Sequence, residues 1–212
     1  MKLQDIVQQP HEVFESPQYT FPQEFGLDEP KQNITQTLSF LKDKNKTPIA
    51  KYSDGEFTMY EFPRMYLLVN HTDDYAPQTE YAMKFKLEFN KFLNRQTVQQ
   101  IVVWRKLLSN FTNGLAKTIF LNELLPKYKT IITDAYQTQD GKRFWGNRIV
   151  EALGNGLFVY YINSLQPRTI KQTHSISELD NLVNNDKVWG DSQKFQAQRL
   201  VITSEKIDEH ID

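Results

Sequence analysis

The stretch from Thr97 to Ile162 constrains this chain most. An apolar strand leads into a loop ending Asn113-Gly114-Leu115-Ala116, then a helix, a second strand, a second helix and a third strand. That order sets small residues and a helix N-terminus at the end of a strand, the arrangement with which proteins hold the phosphates of nucleotide-like cofactors. Ile101-Val102-Val103-Trp104 is a continuous apolar run, as expected of a central strand covered on both faces. Leu115, Ile119, Phe120 and Leu124 form a helical stripe that Pro126 is expected to help end. Thr130 to Thr133 reads as a short strand, Gly141, Trp145, Ile149 and Ala152 mark one face of the second helix, and Leu157 to Ile162 is the strand after it.

Upstream, the pattern is that of an antiparallel meander. Pro48 to Tyr52 and Glu56 to Phe62 flank Ser53-Asp54-Gly55, a tight-turn signal, and Met65 to Asn70 is a further apolar run. Met83, Phe85, Leu87 and Phe89 alternate with polar residues, the period of a half-buried strand. Before the meander, Ile34, Leu38 and Leu41 fall at helical spacing up to about Lys44, with Asn33 and Gln36 resembling a capping box. Residues 1–32 carry Pro10, Pro17, Pro22 and Pro30 and read as an extended arm, leaving 33–212 as one domain. Ser175 and Glu178 form a second capping-box pattern ahead of a helix, and Arg199 to Thr203 reads as a last strand.

Composition narrows the chemistry. The chain has no cysteine, so disulfides, thiolate metal sites and thiol nucleophiles are excluded, and a reducing compartment suits it. A formal net charge of -1 supplies no bulk attraction for nucleic acid or anionic membrane, so nucleic acid is not the expected partner. No apolar run approaches the roughly 20 residues needed to span a bilayer, and the N-terminus lacks the apolar core of a signal peptide, so a cytoplasmic location without membrane attachment is expected. His71 with Asp73 and Asp74 reads as a polar turn rather than a metal site, because the carboxylates are adjacent and no second histidine is near in sequence. No G-x-S-x-G elbow supports hydrolase chemistry.

Strand, glycine-containing loop, helix, strand, helix and strand after an antiparallel meander resemble the GNAT superfamily of acyl-CoA-dependent N-acyltransferases. The family's Q/R-x-x-G-x-G/A loop, whose amides hold the cofactor pyrophosphate, aligns with Phe111-Thr112-Asn113-Gly114-Leu115-Ala116: Gly114 and Ala116 match, and Phe111 replaces the polar first position. The family's Asn-x-x-Ala-x-x-x-Tyr spacing falls on Thr138, Gly141 and Trp145. The run Thr133-Asp134-Ala135-Tyr136-Gln137-Thr138-Gln139-Asp140-Gly141, closed by Trp145, is similar to a GNAT-like branch common in tailed bacteriophages. The resemblance covers residues 83 to 163, with the N-terminal third matching in element order only.

The resemblance implies an α/β (α+β) fold: a mixed, mostly antiparallel GNAT-like central sheet flanked by helices. It implies acyl transfer from acetyl-CoA or another acyl-CoA to an amine. Backbone of Val102, Val103 and Trp104 would face the pantetheine arm, and the amides of Asn113, Gly114, Leu115 and Ala116 the pyrophosphate. Arg105 and Lys106 are the basic candidates for the CoA phosphates. In the family a tyrosine hydroxyl protonates the departing thiolate; Trp145, with only an indole N–H, cannot, which shifts that role to Tyr136 or water and leaves Trp145 a candidate for substrate contact or for core packing. Asp134, at the end of a strand, is the candidate to receive the amine proton, or it caps the following turn. Lys142, Arg143 and Arg148 are placed on the solvent side of their helix. The alternative is a phage protein that keeps the fold and has lost catalysis, binding a host protein or serving in the virion. Exposed strands of such folds also allow a homodimer.

Overall fold

The computed structural model describes residues 27, 29–53, 55–72, 76–106, 112, 114–133, 139–165, 167–184, 188 and 197–208. Contacts cluster into two compact units. The first takes in Glu15–Lys86 and Ile101–Ala116, and the second Met1–Phe14, Leu87–Gln100 and Lys117–Asp212. The architecture is mixed α/β, and most strand pairings are antiparallel.

In the first unit, helix α1 (Pro30–Lys42) precedes strands β1 (Thr47–Pro48), β2 (Phe57–Phe62), β3 (Met65–Asn70) and β4 (Gln78–Asn90), which follow one another in hydrogen-bonded order. The β3 strand has the bounds its apolar run predicts. The β1–β2 pairing is antiparallel as expected, through Thr47↔Glu61 and Pro48↔Tyr60, but β1 is two residues long and Ala50–Tyr52 is a 3₁₀ turn. One face of this sheet carries Phe62, Met65, Leu67, Val69 and Ala82, joined by Leu27 and Trp104, with Phe40 and Leu41 of α1 packed against it. Met59, Tyr66, Leu68, Tyr81 and Met83, on the other face, are buried too.

Asn33 corrects the sequence reading of α1. The helix begins three residues earlier, at Pro30, whose missing N–H costs nothing in a first turn, so Asn33 lies inside the helix and caps nothing. Its buried positions are Asn33 and Thr37, while Leu38 is 38% exposed.

Strand β4 turns back through Lys91–Asn94 into β5 (Arg95–Arg105). Asn94 supplies the positive φ of 49° that closes the turn, and the Asn90 Oδ1 accepts from the Leu93 N–H at 2.9 Å.

From Lys117 on, in the second unit, α2 (Leu115–Ile119) runs into a π-helical turn (Phe120–Leu124) and then α3 (Leu125–Tyr128). Pro126 therefore does not end the helix. Lacking an N–H and crowding the carbonyl four residues back, it is accommodated next to a widened turn. Lys129, at φ 64°, ends it instead. Strand β6 (Thr130–Ile132), helix α4 (Gln139–Gly154) and strand β7 (Phe158–Asn163) follow as expected. Strand β8 (Thr169–Thr173), which sequence reasoning missed, pairs antiparallel with β7. After α5 (Ile176–Asn184), strand β9 (Gln198–Thr203) inserts antiparallel between β6 and β7. One face of this sheet packs Ile132, Tyr160, Ile162, Ile170 and Val201 under Leu93 of the β4–β5 turn and Ile207 of the segment after β9. The Tyr160 hydroxyl accepts from the Ile207 N–H at 3.0 Å, fixing that segment to the sheet.

The Ser175–Glu178 capping box is formed in one half, and in the other Glu178 reaches one residue past the N-cap. Ser175 Oγ accepts from the Glu178 N–H at 3.2 Å, and Glu178 Oε2 accepts from the His174 N–H at 2.8 Å. Glu178→Ala is expected to destabilise the protein by about 1 kcal/mol, read as a lower urea midpoint, because the His174 N–H just ahead of the helix loses its acceptor.

No described helix is long and apolar enough to cross a membrane.

Candidate functional site

The residues expected to hold the cofactor lie in the first unit, at the end of β5 and the start of α2. Val103 and Trp104 are 3% and 8% exposed, and Val102 is half-buried. Trp104 belongs to the apolar cluster beneath α1, and Val102 packs against the same cluster. The β5 side chains here thus build the core, which leaves any contact with a ligand to their backbone.

Gly114 precedes α2 with φ at +76°, a conformation that costs a residue with a Cβ roughly 1–2 kcal/mol. A Cβ placed there would meet no protein atom within 4 Å. Open space adjoins Gly55, Gly154 and Gly156 in the same way, so what the structure explains at Gly114 is the positive φ at the start of the helix. Leu115 is half-buried and Ala116 is 3% exposed. Small size at Ala116 serves packing, which adds a reason for the residue that the sequence pattern did not supply. Asn113 and Phe111 lie outside the described residues.

Of the two basic candidates, Lys106 is engaged by protein groups. Its Nζ is 2.8 Å from Glu80 Oε1 and 3.0 Å from Gln78 Oε1, and its N–H donates to the Glu80 carbonyl at 2.9 Å. Arg105 is half-buried. Glu80 and Gln78 carry no sequence motif that would have singled them out.

The residues expected at the reacting centre belong to the second unit. Asp134 and Tyr136 lie outside the described residues. Trp145 is 1% exposed and meets Phe120 and Phe144 edge-on, with ring centroids 5.9 and 5.4 Å apart. With no exposed face to offer a substrate, Trp145 is a core residue, and the expectation of substrate contact is corrected accordingly.

A second correction concerns Arg148. Expected on the solvent side of α4, it is 2% exposed. Its Nε is 3.0 Å from Glu151 Oε2, its guanidinium lies 5.5 Å from the Phe144 ring centre, and Glu151 also takes an ion pair from Lys117 at 3.0 Å. This cluster ties α4 to α2.

His71 accepts or donates at 3.3 Å with the Tyr60 hydroxyl, and its N–H donates to the Glu56 carbonyl at 2.7 Å, while Asp73 and Asp74 lie outside the described residues. Among the described residues no group of three or more His, Asp or Glu side chains is arranged to hold a metal ion.

Comparison with protein-family models, with curated proteins and with solved structures finds no match to this chain.

Proposed function

We propose that this chain is an acyl-CoA-dependent N-acyltransferase of the GNAT type, moving an acetyl or other acyl group from acyl-CoA to an amine. One observation carries the reading. After antiparallel strands, the chain leaves β5, passes through Gly114 at φ +76° into a helix, and returns as β6 parallel to β5, with Val98 opposite Ile131. The open space at the missing Gly114 side chain fits a phosphate drawn against backbone amides.

In this reaction the amine nitrogen attacks the thioester carbonyl, a C–N bond forms and the C–S bond breaks. The amine loses a proton, for which Asp134 is the proposed acceptor, and the thiolate gains one from Tyr136 or water.

Calorimetric titration with acetyl-CoA tests the first requirement; no binding at millimolar cofactor discards the reading. Gly114→Ala sharpens it. Because the added methyl meets no protein atom, its cost to folding is only the strain at positive φ. A loss of affinity of about tenfold or more, with the fold kept, is expected from the methyl alone, since it fills the space the phosphate needs.

A second reading, a phage protein of this fold without catalysis that binds a host protein or serves in the virion, is favoured by Trp145. The position where the family carries its tyrosine holds a packed indole here. Binding of acetyl-CoA without thiol release across a panel of amines selects this second reading.

A further inference from the structure

Among the described asparagines, Asn155 is the one followed by glycine, and it lies where α4 ends. Both Asn155 and Gly156 are exposed. An exposed Asn-Gly pair carries its own reagent, because the glycine nitrogen stands next to the side-chain amide and no Cβ on the glycine hinders its approach. The surroundings leave that approach open too, since a Cβ built at Gly156 would meet no atom within 4 Å.

The closed helix end blocks the reaction at both partners. The attacking nitrogen is engaged: the Gly156 N–H donates to the Leu153 carbonyl at 3.2 Å. So is the leaving group, because the Asn155 Nδ2 donates to the Glu151 carbonyl at 2.7 Å, which draws the side chain back over the last turn. With the Leu157 N–H on the Ala152 carbonyl at 2.9 Å and Gly156 at φ +70°, the backbone bonds form a Schellman cap. The cap closes an exposed helix terminus, the part of a fold that opens at least cost.

We propose that Asn155 is a modification site, deamidating by intramolecular attack when the cap of α4 opens. In the open cap the Gly156 nitrogen attacks the Asn155 side-chain carbonyl carbon. A C–N bond forms and closes a cyclic imide, the bond from that carbon to Nδ2 breaks, and the side-chain nitrogen leaves as ammonia with the proton given up by Gly156. Water then adds to either imide carbonyl and opens the ring to aspartate or isoaspartate, with no oxidant or reductant consumed. Isoaspartate lengthens the main chain by a methylene, so Gly156 and Leu157 lose their register with the carbonyls of Leu153 and Ala152. Either product also sets a carboxylate at a helix C-terminus, where the macrodipole disfavours it. The reaction is thus a one-way loosening of the join between α4 and β7, and it does not depend on the acyl-CoA reading.

Isoaspartate at residue 155 is measured by peptide mapping after the full chain is aged in mildly alkaline buffer at increasing urea. The folded chain is expected to form it about tenfold or more slowly than the chain in concentrated urea. Its rate is expected to stay level until the unfolding transition begins, because opening one helix end exposes little surface. Asn155→Gln is expected to lose the signal. Amide hydrogen exchange at Gly156 and Leu157 is expected to be faster in the aged chain than in the fresh one. Equal rates in the folded and unfolded chain overturn gating by the cap. A rate that climbs from the lowest urea in step with global unfolding overturns it as well, since reaction then comes from the unfolded chain alone. Absence of isoaspartate from the folded chain overturns the site itself, and unchanged exchange at Gly156 and Leu157 after ageing overturns the loosening of the join.

Discussion

Replacing Asn33 by Leu is expected to destabilise the first unit by about 2–4 kcal/mol, among the largest effects of any single substitution in this chain, because it orphans several buried polar groups at once. Asn33 is 3% exposed and sits inside α1. Its Oδ1 accepts the Thr79 N–H at 2.8 Å and the Thr37 hydroxyl at 3.1 Å. Its Nδ2 donates to the carbonyls of Thr79 at 3.0 Å and Leu27 at 3.2 Å. The side-chain amide thus meets Thr79 as another strand would, offering one donor and one acceptor to the N–H and C=O of a single residue. Leu has the volume to fill the site and none of the hydrogen bonds, so packing survives while the carbonyls of Thr79 and Leu27 lose their donor. Asn33→Asp is expected to be at least as damaging, since a carboxylate keeps the acceptor and sets negative charge against those two carbonyl oxygens. Thr37→Val should cost less, about 1 kcal/mol, because the Thr79 N–H keeps its bond to Asn33. Urea unfolding of the three variants checks the order. A Leu variant within about half a kilocalorie of the parent would mean that water replaces the amide at little cost.

That network also marks where sequence reasoning stops. Apolar spacing at Ile34, Leu38 and Leu41 finds the helix, but the side chains that dock it are Asn33 and Thr37, and Leu38 stays 38% exposed. Periodicity weighs hydrophobicity, and a face that docks by hydrogen bonds is invisible to it. Arg148 fails for a related reason. Trp145, Arg148, Ile149 and Ala152 fall at the i, i+3, i+4, i+7 spacing of one helical face, so its position indicates burial. Its charge argues for solvent, and position prevails because Glu151 lies within 3.0 Å of the guanidinium. Strand β8 escapes because Thr169-Ile170-Lys171-Gln172-Thr173 has one apolar side chain and takes its form from pairing with β7. Where local signal and tertiary environment agree, the reading is close: β3 has the expected bounds, and Ser175 caps the Glu178 N–H. Of the candidate site, the glycine at positive φ is legible because only a backbone demand explains it in that place. The hold of Glu80 on Lys106 is not, since it joins residues 26 apart through a bulge that no local pattern announces.

Trp145→Ala is expected to cost about 3–5 kcal/mol, the usual range for emptying a fully buried indole site. The ring is 1% exposed, and with Phe120 and Phe144 it forms three mutually edge-on aromatic pairs whose centroids lie 5.4 to 6.3 Å apart. Phe120 belongs to the π-helical turn and Phe144 to α4, so the indole joins those two elements, and its loss opens a cavity between them. Trp145→Tyr, which restores the residue the family carries, separates packing from chemistry. If the position is core, the smaller ring and its buried hydroxyl cost about 1–2 kcal/mol and acyl transfer does not rise, because a phenol without exposed surface cannot reach a thiolate. Urea unfolding measures the first effect, and thiol release from acetyl-CoA in the presence of an amine measures the second. A Tyr variant that turns over faster than the parent would place residue 145 at the reacting centre and would require the aromatic cluster to open during the reaction.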